Sequence, residues 1–309
     1  MDGAHRAADP RCRIVTPGDL LGRCTFPPPG RSVRCGVSGG ADSSALLILA
    51  VAADCDVTAV HVDHGLRPGS QDESQLVQDL ADRFGARFEP RQVDIAPGPN
   101  LEARARAARL AALGPDALLG HTADDQAETL MLALLRGAGP AGLAGADPRR
   151  RPLLALRRAE TRELCDALGV TPFEDPSNED DSFRRNRVRH DLMPLLDEIS
   201  ARDLVPVLCR MAALHAEVAD LLDNLATPCD PTSAVDLAAQ PRPVAAHVIR
   251  GWWRRETGST HPPDGAAVDR VLAVARGEAT ACEIGGGWRV SRSGGRLRLV
   301  ASTGSVADR

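Results

Sequence analysis

The sequence predicts an α/β protein: a parallel sheet with helices on both faces, then a smaller, mainly helical domain that ends in a β-hairpin. Three observations carry this expectation. From about residue 32 to residue 190, short apolar runs alternate with helical stretches, the pattern of successive βαβ units. Beyond that, "DLMPLLDEIS" and "VLCRMAALHAEVADLLDNLA" keep helical periodicity with no strand between them. The closing "CEIGGGWRVSRSGGRLRLV" alternates about Gly294-Gly295, a hairpin signal.

The elements follow in order. Residues 1 to 31 form an approach segment containing "TFPPPGR". "SVRCGV" reads as the first strand and "SSALLILAVAA" as the first helix. "DVTAVHV" is a strand, followed by a polar helix from about Ser70 to Phe84. "RFEPRQVDI" is the third strand, "LEARARAARLAAL" an arginine-rich helix, "DALLGH" the fourth strand and "DDQAETLMLALLRG" its helix. The expected division is residues 1–200, with a core starting near residue 32, and residues 201–309. In parallel sheets ligands gather beyond the carboxyl ends of the strands. The segments starting at Ser38, His61 and His121 all follow strands, so they share one crevice.

The chain has 309 residues, 43% of them hydrophobic, which supports a sizeable core. Its formal net charge of −5 excludes a broadly basic nucleic-acid protein. All 37 basic residues are arginine, so contacts to phosphate must come from arginine, backbone N–H groups or a metal. The eight cysteines contain no C-x-x-C pair and read as free thiols of a reducing cytoplasm rather than a disulfide framework or a zinc site. The N-terminus lacks an apolar signal region, and no stretch approaches the length of a membrane span.

Four segments carry chemistry. In "GVSGGADSSALLILA", Ser38, Gly39, Gly40, Ala41, Asp42 and Ser43 join a strand to a helix. Two glycines let backbone N–H groups surround an anion, and the helix adds its positive end. No lysine follows, so this is not a Walker A loop. Asp42 would repel a bare phosphate, which implies a bridging Mg²⁺. The plainer alternative is a turn whose Ser or Asp caps the helix. In "HVDHGLRPGSQDE", Asp63 and His64 can touch a nucleotide and Arg67 a phosphate or RNA, or the segment is a polar turn capped by Ser70; His61 reads as a packed histidine. In "GHTADDQAETLMLALLRGAG", Thr122 and Asp125 have capping-box spacing. Asp124, Asp125 and Glu128 share the first turn and a half, beside His121. Helix-dipole complementarity explains some acid there; three acids point further, to Mg²⁺ binding or proton transfer. In "EDPSNEDDSFRRNRVRHDLMP", Arg184, Arg185, Arg187 and Arg189 crowd six residues, and "RRRPLLALRR" adds five arginines. Such runs form either solvated helix faces or phosphate clamps.

The Ser-Gly-Gly-x-Asp-Ser loop resembles the PP-loop of the N-type ATP pyrophosphatases, which implies a Rossmann-like PP-loop domain that breaks ATP between its α- and β-phosphates. In order, "SGGADS", "VDHGLRPGSQDE", "NLEARARAARL", "GHTADDQAETLMLALLRGAGPAGLAG", "RPLL" and "EDPSNEDDSFRRNRVRHDLMPLL" resemble the tRNA(Ile)-lysidine synthetase family over roughly residues 33 to 196. Leu110 departs from this pattern, standing where the family has a tyrosine. The C-terminal part suits a short form with one small tRNA-binding domain.

The resemblance implies an ATP-dependent, cytoplasmic ligase of tRNA modification. Its partners would be tRNA(Ile) with a CAU anticodon and free lysine, with a homodimer among the expected states. ATP adenylates the wobble cytidine at C2, and the lysine ε-amino group displaces AMP to give lysidine. The expected catalytic residues are Asp42, Asp125, Glu128 and Arg185, with Asp125 or Glu128 as proton acceptor. Ser38 to Ser43, His64 and His121 are expected at the nucleotide, and Asp42, Asp124 and Asp125 at Mg²⁺. Arg106, Arg109, Arg136, Arg184, Arg185, Arg189, Arg254 and Arg255 are expected to face RNA. Two other readings stay open at this point: another PP-loop enzyme such as a tRNA thiolase, and a catalytically inert tRNA-binding module.

Overall fold

The computed structural model describes residues 15–63, 70–94, 101–173, 180, 183–259 and 261–301. His64 and Arg67 of the second motif, and Glu174 and Asp175 of the fourth, lie outside the described residues. The chain forms two compact units that part between Leu214 and His215.

In the first unit a short helix, α1 (Pro17–Leu21), precedes an alternation of strands and helices. The strands are β1 (Ser32–Gly36), β2 (Asp56–Asp63), β3 (Arg87–Gln92) and β4 (Leu118–Leu119). The helices between and after them are α2 (Ala41–Ala52), α3 (Ser70–Phe84), α4 (Leu101–Leu113) and α5 (Ala123–Leu135). The strands run parallel in the order β3-β2-β1-β4. The chain therefore builds outward from β1 to β3 and returns to the other side of β1 with β4. The reversal opens a crevice beyond the ends of β1 and β4, the place where open parallel sheets receive ligands.

Helix α2 shows why this crevice is well defined. Its residues Ser43 to Ala50 are all buried, and Leu46, Leu47, Ile48 and Leu49 join the core formed by Val33, Cys35, Val57 and Ala59 of β1 and β2. A helix buried on every side cannot shift without opening that core. Strand β4 is only two residues long, yet its end is fixed by contact. A Cβ on Gly120 would stand 2.6 Å from the Asp42 carbonyl oxygen and 3.1 Å from Ser43 Cα. Only glycine permits this approach, which presses the start of α5 against the start of α2.

The first unit continues through α6 (Pro140–Leu143), a 3₁₀ turn at Pro148–Arg150 and α7 (Arg158–Ala167). Then α8 (Arg184–Arg187), a π-helical turn at Val188–Leu192 and α9 (Met193–Ser200) follow without a break, ahead of α10 (Val205–Ala226). A second core joins α5 to this region through Ala127, Leu130, Val188, Met193, Val205 and Leu208.

The second unit contains α11 (Ala234–Ala239), α12 (Arg242–Thr257), α13 (Gly265–Arg276) and an antiparallel sheet of β5 (Ala281–Gly285), β6 (Trp288–Ser293) and β7 (Arg296–Ala301). The expected hairpin is β6–β7, turning at Gly294 and Gly295 with φ of +56° and +76°. It gains a strand, β5, across a second turn whose three glycines, 285 to 287, all have positive φ. Trp252 and Trp253 are buried. Trp253 donates its Nε1–H to the His261 carbonyl at 3.1 Å and meets Trp288 edge to face at 6.2 Å, so the pair belongs to the core. Among the described residues, no helix is long and apolar enough to cross a membrane, and the seven described cysteines are free.

The Gly120 contact is directly testable. Gly120→Ala should cost about 2 kcal/mol or more, as overpacking against backbone does, and should weaken ATP binding. Gly22→Ala, whose Cβ meets nothing within 4 Å, should do neither. Thermal melting and calorimetric ATP titration of both variants check this; equal behaviour would remove the constraint.

Candidate active site

The loop after β1 has the conformation its residues imply. Gly39 has φ of +86°, and a Cβ there would press on Leu76 at 3.3 Å and Phe173 at 3.4 Å. Gly40 starts α2 in extended conformation. Ser43 Oγ accepts the Ser38 N–H at 3.1 Å and donates to the Gly40 carbonyl at 2.9 Å, and Ser38 Oγ lies 3.2 Å from Ser43 Oγ. The two serines thus shape the loop while the first-turn N–H groups of α2 have no intrahelical acceptor. His61 is buried, its Nδ1 lying 3.0 Å from the Val37 carbonyl: it supports the loop from behind, as a packed histidine.

Next to the loop stands a cluster of charges. Glu128 is 2% exposed. Its Oε1 accepts from Arg158 Nη2 at 3.0 Å and Arg189 Nε at 2.7 Å, and its Oε2 from Arg185 Nε at 2.7 Å and Arg189 Nη2 at 3.2 Å. Asp125 Oδ2 accepts from the N–H and hydroxyl of Thr122 at 2.9 and 3.1 Å. Its Oδ1 accepts from Arg158 and Arg185 at 3.2 and 3.0 Å. Burial pushes the Asp125 carboxyl up, but Arg158, Arg185 and the Thr122 N–H outweigh it and hold it below the usual carboxylate range. Asp124 faces another way. Both its oxygens take bonds from Arg157, and Oδ2 also takes the Arg158 N–H at 2.8 Å. Burial raises the Asp124 carboxyl too, and these donors again bring it below normal.

Asp42 is different. The Thr161 hydroxyl donates to its Oδ1, and Arg158 Nε lies 3.7 Å from its Oδ2, beyond a hydrogen bond. Burial, with the charge of Asp125 added, raises its carboxyl to about 6 despite the Thr161 bond and the nearby arginines. His121 moves the opposite way: burial lowers it to about 4, with Arg151, Arg106 and Arg185 adding to the effect against Asp125. It is a neutral imidazole at pH 7 whose Nδ1 finds no hydrogen-bond partner among the described residues.

Among the described residues no three His, Cys, Asp or Glu side chains are placed to hold a metal ion. Asp124 and Asp125 have two donors on every oxygen, so neither fits the Mg²⁺ role expected of it. Asp42 does fit. It is a destabilised carboxylate with one oxygen open, and Mg²⁺ at nucleotide sites commonly uses one or two carboxylates together with substrate phosphates.

Arg157 and Arg158 were expected only as part of a run of arginines with no site role of their own, and Thr161 was not expected at all. All three lie at the start of α7, where Arg158 joins Asp42, Asp125 and Glu128. A signal was present: two cations begin this helix, at its positive end, where they are unfavourable unless acids face them. The arginines expected at RNA divide. Arg185 and Arg189 turn inward to Glu128, whereas Arg106, Arg136, Arg184, Arg254 and Arg255 are exposed. Arg109 is part-buried, and burial beside Arg106 lowers its pKa.

A lysine-free glycine loop at the switch point of a parallel sheet, facing an arginine cluster, defines an ATP-binding domain of PP-loop type. Residues 21–196 match the family described as PP-loop domain, and residues 233–298 the TilS substrate binding domain. The chain is 42% identical over 241 residues to the tRNA(Ile)-lysidine synthase of Rhodococcus erythropolis, covering 72% of this chain and 74% of that protein. It is 37% identical over 305 residues to that of Nocardia farcinica, covering 91% and 96%. Over 287 residues it is 36% identical to that of Corynebacterium glutamicum, covering 89% of each. The chain belongs to the tRNA(Ile)-lysidine synthase family.

The raised Asp42 carboxyl has a measurable consequence for stability. The folded protein holds this proton more tightly than the unfolded chain, so the contribution is present at low pH and is lost as pH rises from the ordinary value of 3.8 through about 6. Asp42→Asn removes the cost of the buried charge. Without nucleotide at pH 7.5 it should be more stable than the parent by about 3 kcal/mol, and the gain should vanish by about pH 4. Melting curves across pH test this; a variant less stable at neutral pH would contradict the account of Asp42.

Proposed function

We infer that this protein is an ATP-dependent ligase that joins lysine to the wobble cytidine of tRNA(Ile), forming lysidine. The observation that carries the reading is the meeting of the PP-loop with a neutral cluster of Asp42, Asp125 and Glu128 against Arg158, Arg185 and Arg189. The RNA is tRNA(Ile) with a CAU anticodon, and the amine donor is free lysine. A cytoplasmic place follows from the tRNA substrate.

The geometry supports a division of labour. The glycines and the first turn of α2 receive the β- and γ-phosphates, where backbone N–H groups need no lysine to help them. The three arginines have N–H groups beyond those bound by Glu128 and Asp125, and these face the charge that develops when pyrophosphate departs. Mg²⁺, arriving with ATP at Asp42, would neutralise part of that charge. Adenylation turns the C2 oxygen of cytidine into a good leaving group: the lysine ε-nitrogen, its ammonium proton given up to water, forms the C2–N bond as the C2–O bond to AMP breaks, and what the site must do is hold the amine in line. Glu128 and Asp125 have no open oxygen for its proton. Their task in this reading is to hold the arginines, in place of the proton-accepting role expected from the sequence. His121, neutral and with an open Nδ1, stands at the nucleotide.

Incubation with ATP, labelled lysine and CAU-anticodon tRNA tests the reading. Label retained in RNA supports it. Tight tRNA binding without label would favour an inert binding module, and no dependence on lysine would favour another PP-loop chemistry.

The second unit supplies RNA affinity in this reading. Residues 232 to 309 hold eleven arginines against seven acids, on a chain of net charge −5. Arg254 and Arg255 stand exposed in the last turn of α12. Reversing both to Glu should lower tRNA affinity and reduce the slope of log K against log salt by about 1 per lost phosphate contact. Unchanged affinity and slope would take this face of α12 out of the RNA path.

A further inference from the structure

The arginine run of α8 and its π turn serves two faces. Arg185 and Arg189 reach inward to Glu128. Arg184 and Arg187 line the wall of a groove of about 460 Å³ between the end of α5 and the α8–α9 segment. Arg136, at the end of α5, completes this basic rim. The rest of the lining is mainly aliphatic: Leu132 and Leu135 from α5, and Val188, Leu192 and Leu195 from the other segment. Leu135 is 68% exposed and Leu195 50% exposed. Leucines this open, side by side in a concave surface, are uncommon unless something covers them, and the volume is that of a small-molecule site.

We propose that this groove is a second RNA subsite, which takes an unstacked base of the anticodon loop close to the wobble nucleotide. The leucines contact the base face, and the arginine rim holds the adjoining phosphates. Three guanidiniums face one carboxylate, Asp191, which pairs with Arg187 at 3.3 Å, so the rim is net positive and complements a polyanion. A second copy of the chain would bring an equally positive rim against this one, a like-charge contact. Position agrees as well. Helix α5 carries Glu128 at the reaction site and Leu135 in the groove, seven residues apart. At about 1.5 Å per residue this is about 10 Å, roughly three stacked nucleotides at about 3.4 Å each. A base so close to the modified one lies within reach, and loop bases are the part of an RNA that splays out for recognition. The proposal rests on the tRNA reading of the site.

The test uses the full chain and a CAU anticodon stem–loop carrying 2-aminopurine three nucleotides from the wobble position. Leu135→Asp and Leu195→Asp, made singly, should each weaken stem–loop binding roughly tenfold, the scale of one lost base contact. Each should also abolish the 2-aminopurine fluorescence change, while ATP affinity and melting temperature stay at the parent values. Arg184→Glu should weaken binding and flatten its salt dependence. If both leucine variants keep stem–loop affinity and the fluorescence change, the subsite is refuted. That result with conversion of a dimer to a monomer by light scattering would give the groove to a second copy instead. Failure of the parent chain itself to bind the stem–loop would overturn the tRNA reading, and the groove proposal with it.

Discussion

The site depends on one buried carboxylate. Glu128 is 2% exposed and meets three guanidiniums from two separate segments, Arg158 at the start of α7, and Arg185 and Arg189 around the π turn. A buried charge must be paired, and breaking such a pair by removing one partner ordinarily costs about 3–5 kcal/mol because the other is left uncompensated. Here one side chain answers for three partners. Arg185 and Arg189 are four residues apart, which puts them on one helix face, and both reach the same carboxylate. The π turn that begins at Val188 contains Arg189, in keeping with the frequent appearance of such turns at functional sites.

From this clamp the order spreads to the loop. Arg158 touches Asp125 and Glu128 on α5 and comes within 3.7 Å of Asp42 on α2. Thr161, one turn further along α7, donates to the other oxygen of Asp42. The close approach at Gly120 fixes α2 and α5 to each other by backbone, and α7 fixes them by charge. The protein's own contacts therefore hold the arginines in place and leave Asp42 in an unfavourable environment. Stored destabilisation of this kind is common where a ligand is to bind, since the ligand relieves it.

Much of this was legible in the sequence, and the part that was not has physical causes. The βα alternation and the loop at Ser38 are local patterns, set by strand burial and by glycine geometry, so they read directly from neighbouring residues. The acids of α5 were legible as a group, but their separate tasks were not: the spacing that puts Asp124, Asp125 and Glu128 on one turn does not say which arginine each will meet. That depends on α7, some 30 residues away in sequence, whose first residues follow an unremarkable turn. The third strand of the C-terminal sheet escaped because its glycine triplet at 285 to 287 forms a turn with three positive φ values in succession, a pattern less specific than the Gly294-Gly295 pair. The groove beside α9 was hidden because the leucines that line it have the spacing of ordinary core positions.

The pH dependence of lysidine formation by Glu128→Gln tests the central claim most directly. If Glu128 acts by holding three arginines, its replacement lowers turnover by about a hundredfold or more at every pH, and the profile keeps the parent's shape. If the variant turns over like the parent, or if its profile loses a titration that the parent shows, then Glu128 is either dispensable or a proton acceptor, and the clamp is not what organises the site.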